Sequence, residues 1–233
     1  MSTPGLGRWC KIDPRQVLHY HHLDIRKAEV QRIYQTSKAG LSFRCTKRGQ
    51  GFNMHDIDQV HSFWFEESSE KQWFGKDPEF DRQIRERFGA LVEAASQGKL
   101  EDWLDTPRGA LAYILLLDQF TRNIHRGSDK AFAADAKARA AAIKALVDGY
   151  DQKIPDREKT FLYLPFEHSE ELEDQERCVA LFEAIGNDQL TDYAVRHRDI
   201  IARFGRFPHR NDVLGRESTD AEQEFLKQPG SSF

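Results

Sequence analysis

The segment from Ala110 to Phe120 decides what this chain can fold into. It runs Ala110-Leu111-Ala112-Tyr113-Ile114-Leu115-Leu116-Leu117-Asp118-Gln119-Phe120, opened by Thr106-Pro107 and closed by Gly127. Threonine followed by proline is a helix-start signal, and glycine just beyond a periodic run is a stop. A helix that is apolar nearly all round belongs in the interior, wrapped by other elements. The rest of the chain offers only helices to wrap it, because no run of alternating β-branched residues predicts a sheet.

Those helices announce themselves one after another from Met54 onward. Asp56 can cap a helix carrying Ile57, Val60, Phe63 and Trp64. Asp77-Pro78 opens another, with Phe80, Ile84, Phe88, Leu91 and Ala95 on one face and Gly98 as its end. An alanine-rich helix is expected over about 129–147 behind Ser128, and a short one from Asp156 stopped by Pro165. Ser169 is read as the cap of a helix carrying Leu172, Val179, Phe182 and Ile185, with Gly186 as terminator. A stripe through Leu190, Tyr193, Ala194, His197, Ile201 and Phe204 follows, and Thr219-x-x-Glu222 is a capping box for a last short helix near Leu226. Short connections between successive helices predict antiparallel helical hairpins, an all-α fold.

With 233 residues, 16 Phe and 4 Trp, the chain can build a dense aromatic core without staples. No segment approaches the ~18 apolar residues of a membrane helix, and the start lacks a secretory apolar run. Cys10, Cys45 and Cys178 form no CxxC pair, so neither a disulfide framework nor a zinc site is expected, and the cytoplasm is the expected compartment.

Charge divides the chain at Met54. Residues 1–53 carry ten Lys/Arg against three Asp/Glu, and the remainder 24 against 35. The acidic body speaks against general nucleic-acid binding, whose affinity comes from basic surface. The basic segment is read as an extension of weak order. Gln50-Gly51 can be encoded by codons containing AAGGA, a bacterial ribosome-binding sequence, a short spacer ahead of Met54. The native protein is therefore expected to begin at Met54. Intact-mass measurement of the protein from its own host checks this, and a mass that includes residues 1–53 refutes it. The expected organisation is a helical domain over 54–226 and a flexible tail over 227–233.

Three polar constellations interrupt the apolar pattern. Asp118 and Arg122 lie four apart on the buried helix and can pair across one turn, with Asn123 alongside and Arg126 one turn further. Glu167-His168-Ser169-Glu170 follows Pro165 and is read as a helix start, where free N–H groups favour anions. In that setting His168 and Glu167 could serve as acid–base groups. The third constellation is Arg203, Arg206, His209, Arg210 and Asn211, whose cations need a negative partner, internal or bound. His197, Trp64, Trp73 and Trp103 are read as core, and Cys178 as unreactive. No phosphate-binding loop, dinucleotide fingerprint, nucleophile elbow or HExxH is present, and no cofactor or metal is expected.

Four segments carry a family resemblance: Val60–Phe65 (VHSFWF), Leu115–Asn123 (LLLDQFTRN), Tyr163–Glu170 (YLPFEHSE) and Phe204–Asn211 (FGRFPHRN). Trp73-Phe74 and Phe80-Asp81 fit the same pattern. Together they resemble the DUF924 family of bacterial proteins over about Met54 to Leu226. The resemblance implies a TPR-like α–α superhelix and no particular reaction. Three readings of function follow. One is binding of an anionic small molecule or acidic peptide through Asp118, Arg122, Asn123, Arg126, Glu170, Arg203, Arg206, His209, Arg210 and Asn211. Another is a hydrolase-type enzyme with His168 as acid–base. The third is an internal salt-bridge network on a protein-interaction scaffold.

Overall fold

The structure is a computed structural model that describes residues 54–232, so the expectations placed on residues 1–53 lie outside the described residues. The described chain is all helical, with no strand among its residues. Helix α1 spans Met54–Ser62 and passes directly into a π-helical turn, Phe63–Glu67. Then come α2 (Glu70–Phe74) and α3 (Pro78–Ser96). The long apolar helix is divided into α4 (Pro107–Ile114), a π-helical turn (Leu115–Phe120) and α5 (Thr121–Ile124). Next are α6 (Asp135–Val147), α7 (Asp156–Glu167), α8 (Leu172–Ile185), α9 (Asp188–Phe204) and α10 (Asp220–Leu226). No helix among the described residues is long and apolar enough to cross a membrane.

Several local signals act as the sequence indicates. Asp77 accepts hydrogen bonds from the Glu79 and Phe80 amides, and Thr106 from Gly109. Gly109 is required there, since a Cβ would lie 2.3 Å from the Trp103 carbonyl oxygen. Thr219 and Glu222 close their capping box, with Thr219 N–H donating to Glu222 Oε2 at 2.8 Å. Gly186 and Gly205 end α8 and α9 in the left-handed conformation, at φ 77° and 68°.

The segment Ala110–Phe120 is fully buried, as its composition demands. α3 packs on its π turn and on α5, α6 packs on α4, and α6, α7, α8 and α9 pack each on the next. The core is aromatic around Trp64, whose ring centroid lies 5.4 Å from both Phe120 and Phe161. Phe63 adds contacts to Phe80 at 5.4 Å and Phe88 at 5.0 Å.

Four local readings are corrected. Asp56 lies within the first turn of α1 rather than before it. The alanine-rich helix begins at Asp135, after a 3-10 turn at Asp129–Ala131. Pro165 does not stop α7, which continues to Glu167. The lost hydrogen bond and ring crowding are outweighed by burial of Pro165 between Leu164 and Phe166. Finally, α8 starts at Leu172 behind Glu171. Ser169 instead braces the turn, accepting from the Glu171 amide and donating to Asp174 Oδ2 at 2.8 Å. Beyond α10, Ser231 is buried and its hydroxyl donates to the Leu226 carbonyl at 3.1 Å.

Candidate functional site

The continuation of α7 through Pro165 changes the setting of His168. It caps the C-terminus of α7, with φ −83° and ψ −9°, and does not sit at a helix start. The anion-favouring N–H groups expected there are replaced by carbonyls, the negative end of a helix. Donors collect on them accordingly. The buried Gln175 amide donates to the Glu167 carbonyl at 2.6 Å and to Ser169 O at 2.7 Å. Arg210 Nη1 donates to His168 O at 3.1 Å. A cation at this end of a helix is electrostatically matched.

His168 Nδ1–H donates to Asp118 Oδ1 at 2.8 Å. Asp118 is fully buried in the π turn and also accepts from Gln119 Nε2 at 2.7 Å. Arg122 reaches it twice, with Nη1 donating to its carbonyl at 2.8 Å and lying 3.2 Å from Oδ1. The other claim on Arg122 comes from Asp135, the first residue of α6, whose two oxygens accept at 2.9 and 3.0 Å. Arg210 Nη1 lies 3.6 Å from the same carboxylate. Both guanidinium groups also face the Phe132 ring, at 5.7 Å for Arg122 and 4.7 Å for Arg210. The arrangement is one cluster: Asp118, Arg122, Asp135, His168 and Arg210.

Electrostatics sort these groups into distinct protonation states. Burial would raise the pKa of Asp118, but the Arg122 guanidinium, then His168 and Gln119, outweigh it and hold the carboxyl well below its ordinary range. Burial, then the Asp118 charge, pushes Glu167 up to about 8, so this carboxyl is protonated at neutral pH. His168 is lowered by burial and by Arg122, against the pull of Asp118, which leaves it neutral. With its proton on Nδ1 facing Asp118, Nε2 is the basic nitrogen. An ionised carboxylate, a protonated one and an oriented neutral imidazole together are the components of acid–base chemistry. His197 is buried beside them, donating from Nδ1 to Tyr193 O at 2.8 Å and lying 3.7 Å from Glu167 Oε1. Among the described residues, no group of three His, Cys, Asp or Glu side chains is placed to hold a metal ion.

The remaining candidates have other neighbours. Asn123 and Arg126 both bind Asp81, at 2.7 Å from Asn123 Nδ2 and 2.8 Å from Arg126 Nε. Glu170 accepts from the Phe207 amide at 2.9 Å and from both terminal nitrogens of Arg216. Arg206 is held by Glu222 at 2.6 and 2.7 Å, and Asn211 donates to Ser218 Oγ at 3.0 Å. His209 lies against the Phe207 ring at 5.6 Å. Arg203 rests on the rings of Phe204 and Phe225, at 4.6 and 5.8 Å. It lines two adjoining open grooves of about 530 and 400 Å³ that include no member of the Asp118 cluster.

The family described as bacterial proteins of unknown function, DUF924, matches residues 60–230. The chain belongs to that family. A solved structure of a protein of unknown function from Agrobacterium tumefaciens resembles it, at 38% identity and a TM-score of 0.72, over 75% of this chain and 98% of that one. A comparison with curated proteins gives no match. In this DUF924 protein, three of the four segments that carry the resemblance meet in one place. Asp118 and Arg122 come from the second, His168 from the third and Arg210 from the fourth.

Sequence reasoning missed Asp135, Gln175, Asp81 and Arg216. Asp135 carries only the ordinary signal of an acid in a first helical turn, and nothing in its spacing points to Arg122 or Arg210. Phe80-Asp81 stands in a quoted motif, which is the one signal that could have singled out Asp81.

Proposed function

We propose that the Asp118 cluster binds an anionic small molecule beside His168, which exchanges a proton with it. The observation that supports this most is the convergence of His168, Arg122 and Arg210 around the buried Asp118. The edge of the cluster reaches solvent, with the side chains of Arg122 and His168 19% and 16% exposed. Asp118 fixes the imidazole tautomer, and the two arginines supply the planar donors that suit an oxyanion. On this reading the helical domain over 54–226 carries the whole function, and the succession α7, α8, α9 supports a TPR-like superhelix. A bacterial cytoplasm fits the free, buried thiol of Cys178.

The test uses inorganic phosphate and acetate, added at constant ionic strength. Either should raise the melting temperature in a saturable way, since a ligand bound only to the native state stabilises it. It should also move the imidazole NMR signals of His168. Arg122→Lys keeps the charge, loses the fork and should weaken both effects. If neither anion moves Tm or the His168 signals, the reading is wrong.

A second reading has its own support. Arg122, Arg126 and Arg206 each have an internal carboxylate, on Asp135, Asp81 and Glu222. Under this reading the cluster is a clasp joining α4–α5, α6, α7 and the turn after α9. Arg122→Lys would then lower Tm with no change in the response to anions.

A further inference from the structure

The Asp135 carboxylate holds Arg122 as a ligand would. Its two oxygens take the terminal nitrogens of Arg122 side by side at 2.9 and 3.0 Å, the bidentate pattern of a bound carboxylate. Its hold on Arg210 is loose, at 3.6 Å. Arg210 is 6% exposed, and its Nε has no hydrogen-bond partner among the described residues. A buried guanidinium with an unpaired N–H needs an account.

Each arginine has a second anchor that does not depend on Asp135. Arg122 keeps the carbonyl and carboxylate of Asp118, and Arg210 keeps the His168 carbonyl and the rings of Phe132 and Phe207. Asp135 is the removable piece. Its side chain is the most exposed of the cluster, at 23% against 19% for Arg122 and 7% for Arg210. It is the first residue of α6, and the preceding Ala134 supplies no side-chain cap. Swinging the carboxylate into water leaves it near the first turn of α6, where a negative charge is favoured.

Charge balance narrows the occupant. With Asp118 ionised and two arginines present, one further negative charge neutralises the cluster, and Asp135 supplies it. A monoanion replacing Asp135 preserves that balance, whereas a dianion adds an uncompensated charge beside the buried Asp118.

We infer that Asp135 is a built-in competitor for the Arg122–Arg210 pair, and that the molecule displacing it presents a carboxylate. This rests on the anion-binding reading above and adds to it the chemical class and the residue that gates access.

Wild type, Asp135→Ala and Asp135→Asn are titrated with acetate and with inorganic phosphate, following the His168 imidazole signals. The asparagine variant keeps the side-chain shape should the alanine variant fail to fold. Removing a competitor that holds the site most of the time should tighten acetate binding by roughly tenfold in both variants, with acetate the tighter-binding anion in all three proteins. Acetate binding that is unchanged or weaker in the variants overturns the inference. Phosphate binding to wild type without that gain for acetate sinks this inference alone. Silence toward both anions in all three proteins removes the anion-binding reading and this one with it.

Discussion

Asp118→Ala should destabilise the native state by about 3–5 kcal/mol, the scale for removing one partner of a buried ion pair. Arg122, His168 and Gln119 all direct a donor at this carboxylate. Gln119 finds no water when the carboxylate is lost, because the π turn that carries it is buried throughout, and Arg122 and His168 meet solvent only at the outer edge of the cluster. Asp118→Asn keeps an acceptor oxygen for one of them and should recover part of the loss. Urea denaturation at neutral pH measures both. The double variant with Arg122→Met should cost less than the two single changes added together, since the stranded cation is removed with its partner. A loss under about 1 kcal/mol for Asp118→Ala, the range of a surface pair, would mean that the cluster is solvated.

Between pH 6.5 and 8 the native state should lose about 1–2 kcal/mol of stability relative to Glu167→Gln. The folded-state pKa of Glu167 is raised to about 8 from the ordinary 4.5 by burial and the nearby Asp118 charge. A group raised on folding contributes stability fully present below its unfolded pKa and lost as pH climbs through the folded one. The window for Glu167 therefore runs from about 4.5 to about 8. Histidines act with the opposite sign. Burial lowers His197 to about 3 and His209 to about 4, so stability falls as pH drops below 6.5 and the unfolded chain takes up protons first. The two limbs give a maximum between about pH 6.5 and 7, and the difference between wild type and Glu167→Gln isolates Glu167. Chemical denaturation at pH 6.5, 7.25 and 8 reads it directly. An alkaline limb of equal slope in wild type and Glu167→Gln would mean that Glu167 is ionised at neutral pH.

Legibility from sequence followed the range of the interaction. Thr106-Pro107, Asp77-Pro78, Thr219-x-x-Glu222 and the glycines at 186 and 205 act within a few residues of themselves, and all stand where the pattern puts them. The Asp118–Arg122 pair was legible because it spans four residues. Pro165 misled because its local cost is outweighed by packing that no local pattern reports. Its misreading reversed the polarity assigned to His168, from the positive end of a helix to the negative end. The partner of Arg206 was in plain view as a capping residue, yet Glu222 serves both roles, and a side chain already given one function attracts no second reading. Contacts such as His168 to Asp118, 50 residues apart, depend on how whole helices stack, which no short window of sequence contains.

The π turn at Leu115–Phe120 makes chain length part of the site's specification. A π turn holds one residue more than the α-helical path it replaces, so it acts as a phase shift between the two halves of the helix. A one-residue deletion there would let the turn relax to α-helix with the downstream phase kept, whereas rewinding it with every residue present would turn everything downstream by about 100°. Arg122, Asn123 and Arg126 would then leave Asp135 and Asp81, while Leu111 and Ile114 upstream kept their places. The extra residue and the π turn that absorbs it are thus matched, and the turn is what keeps both halves of the helix in phase with their partners at this spacing.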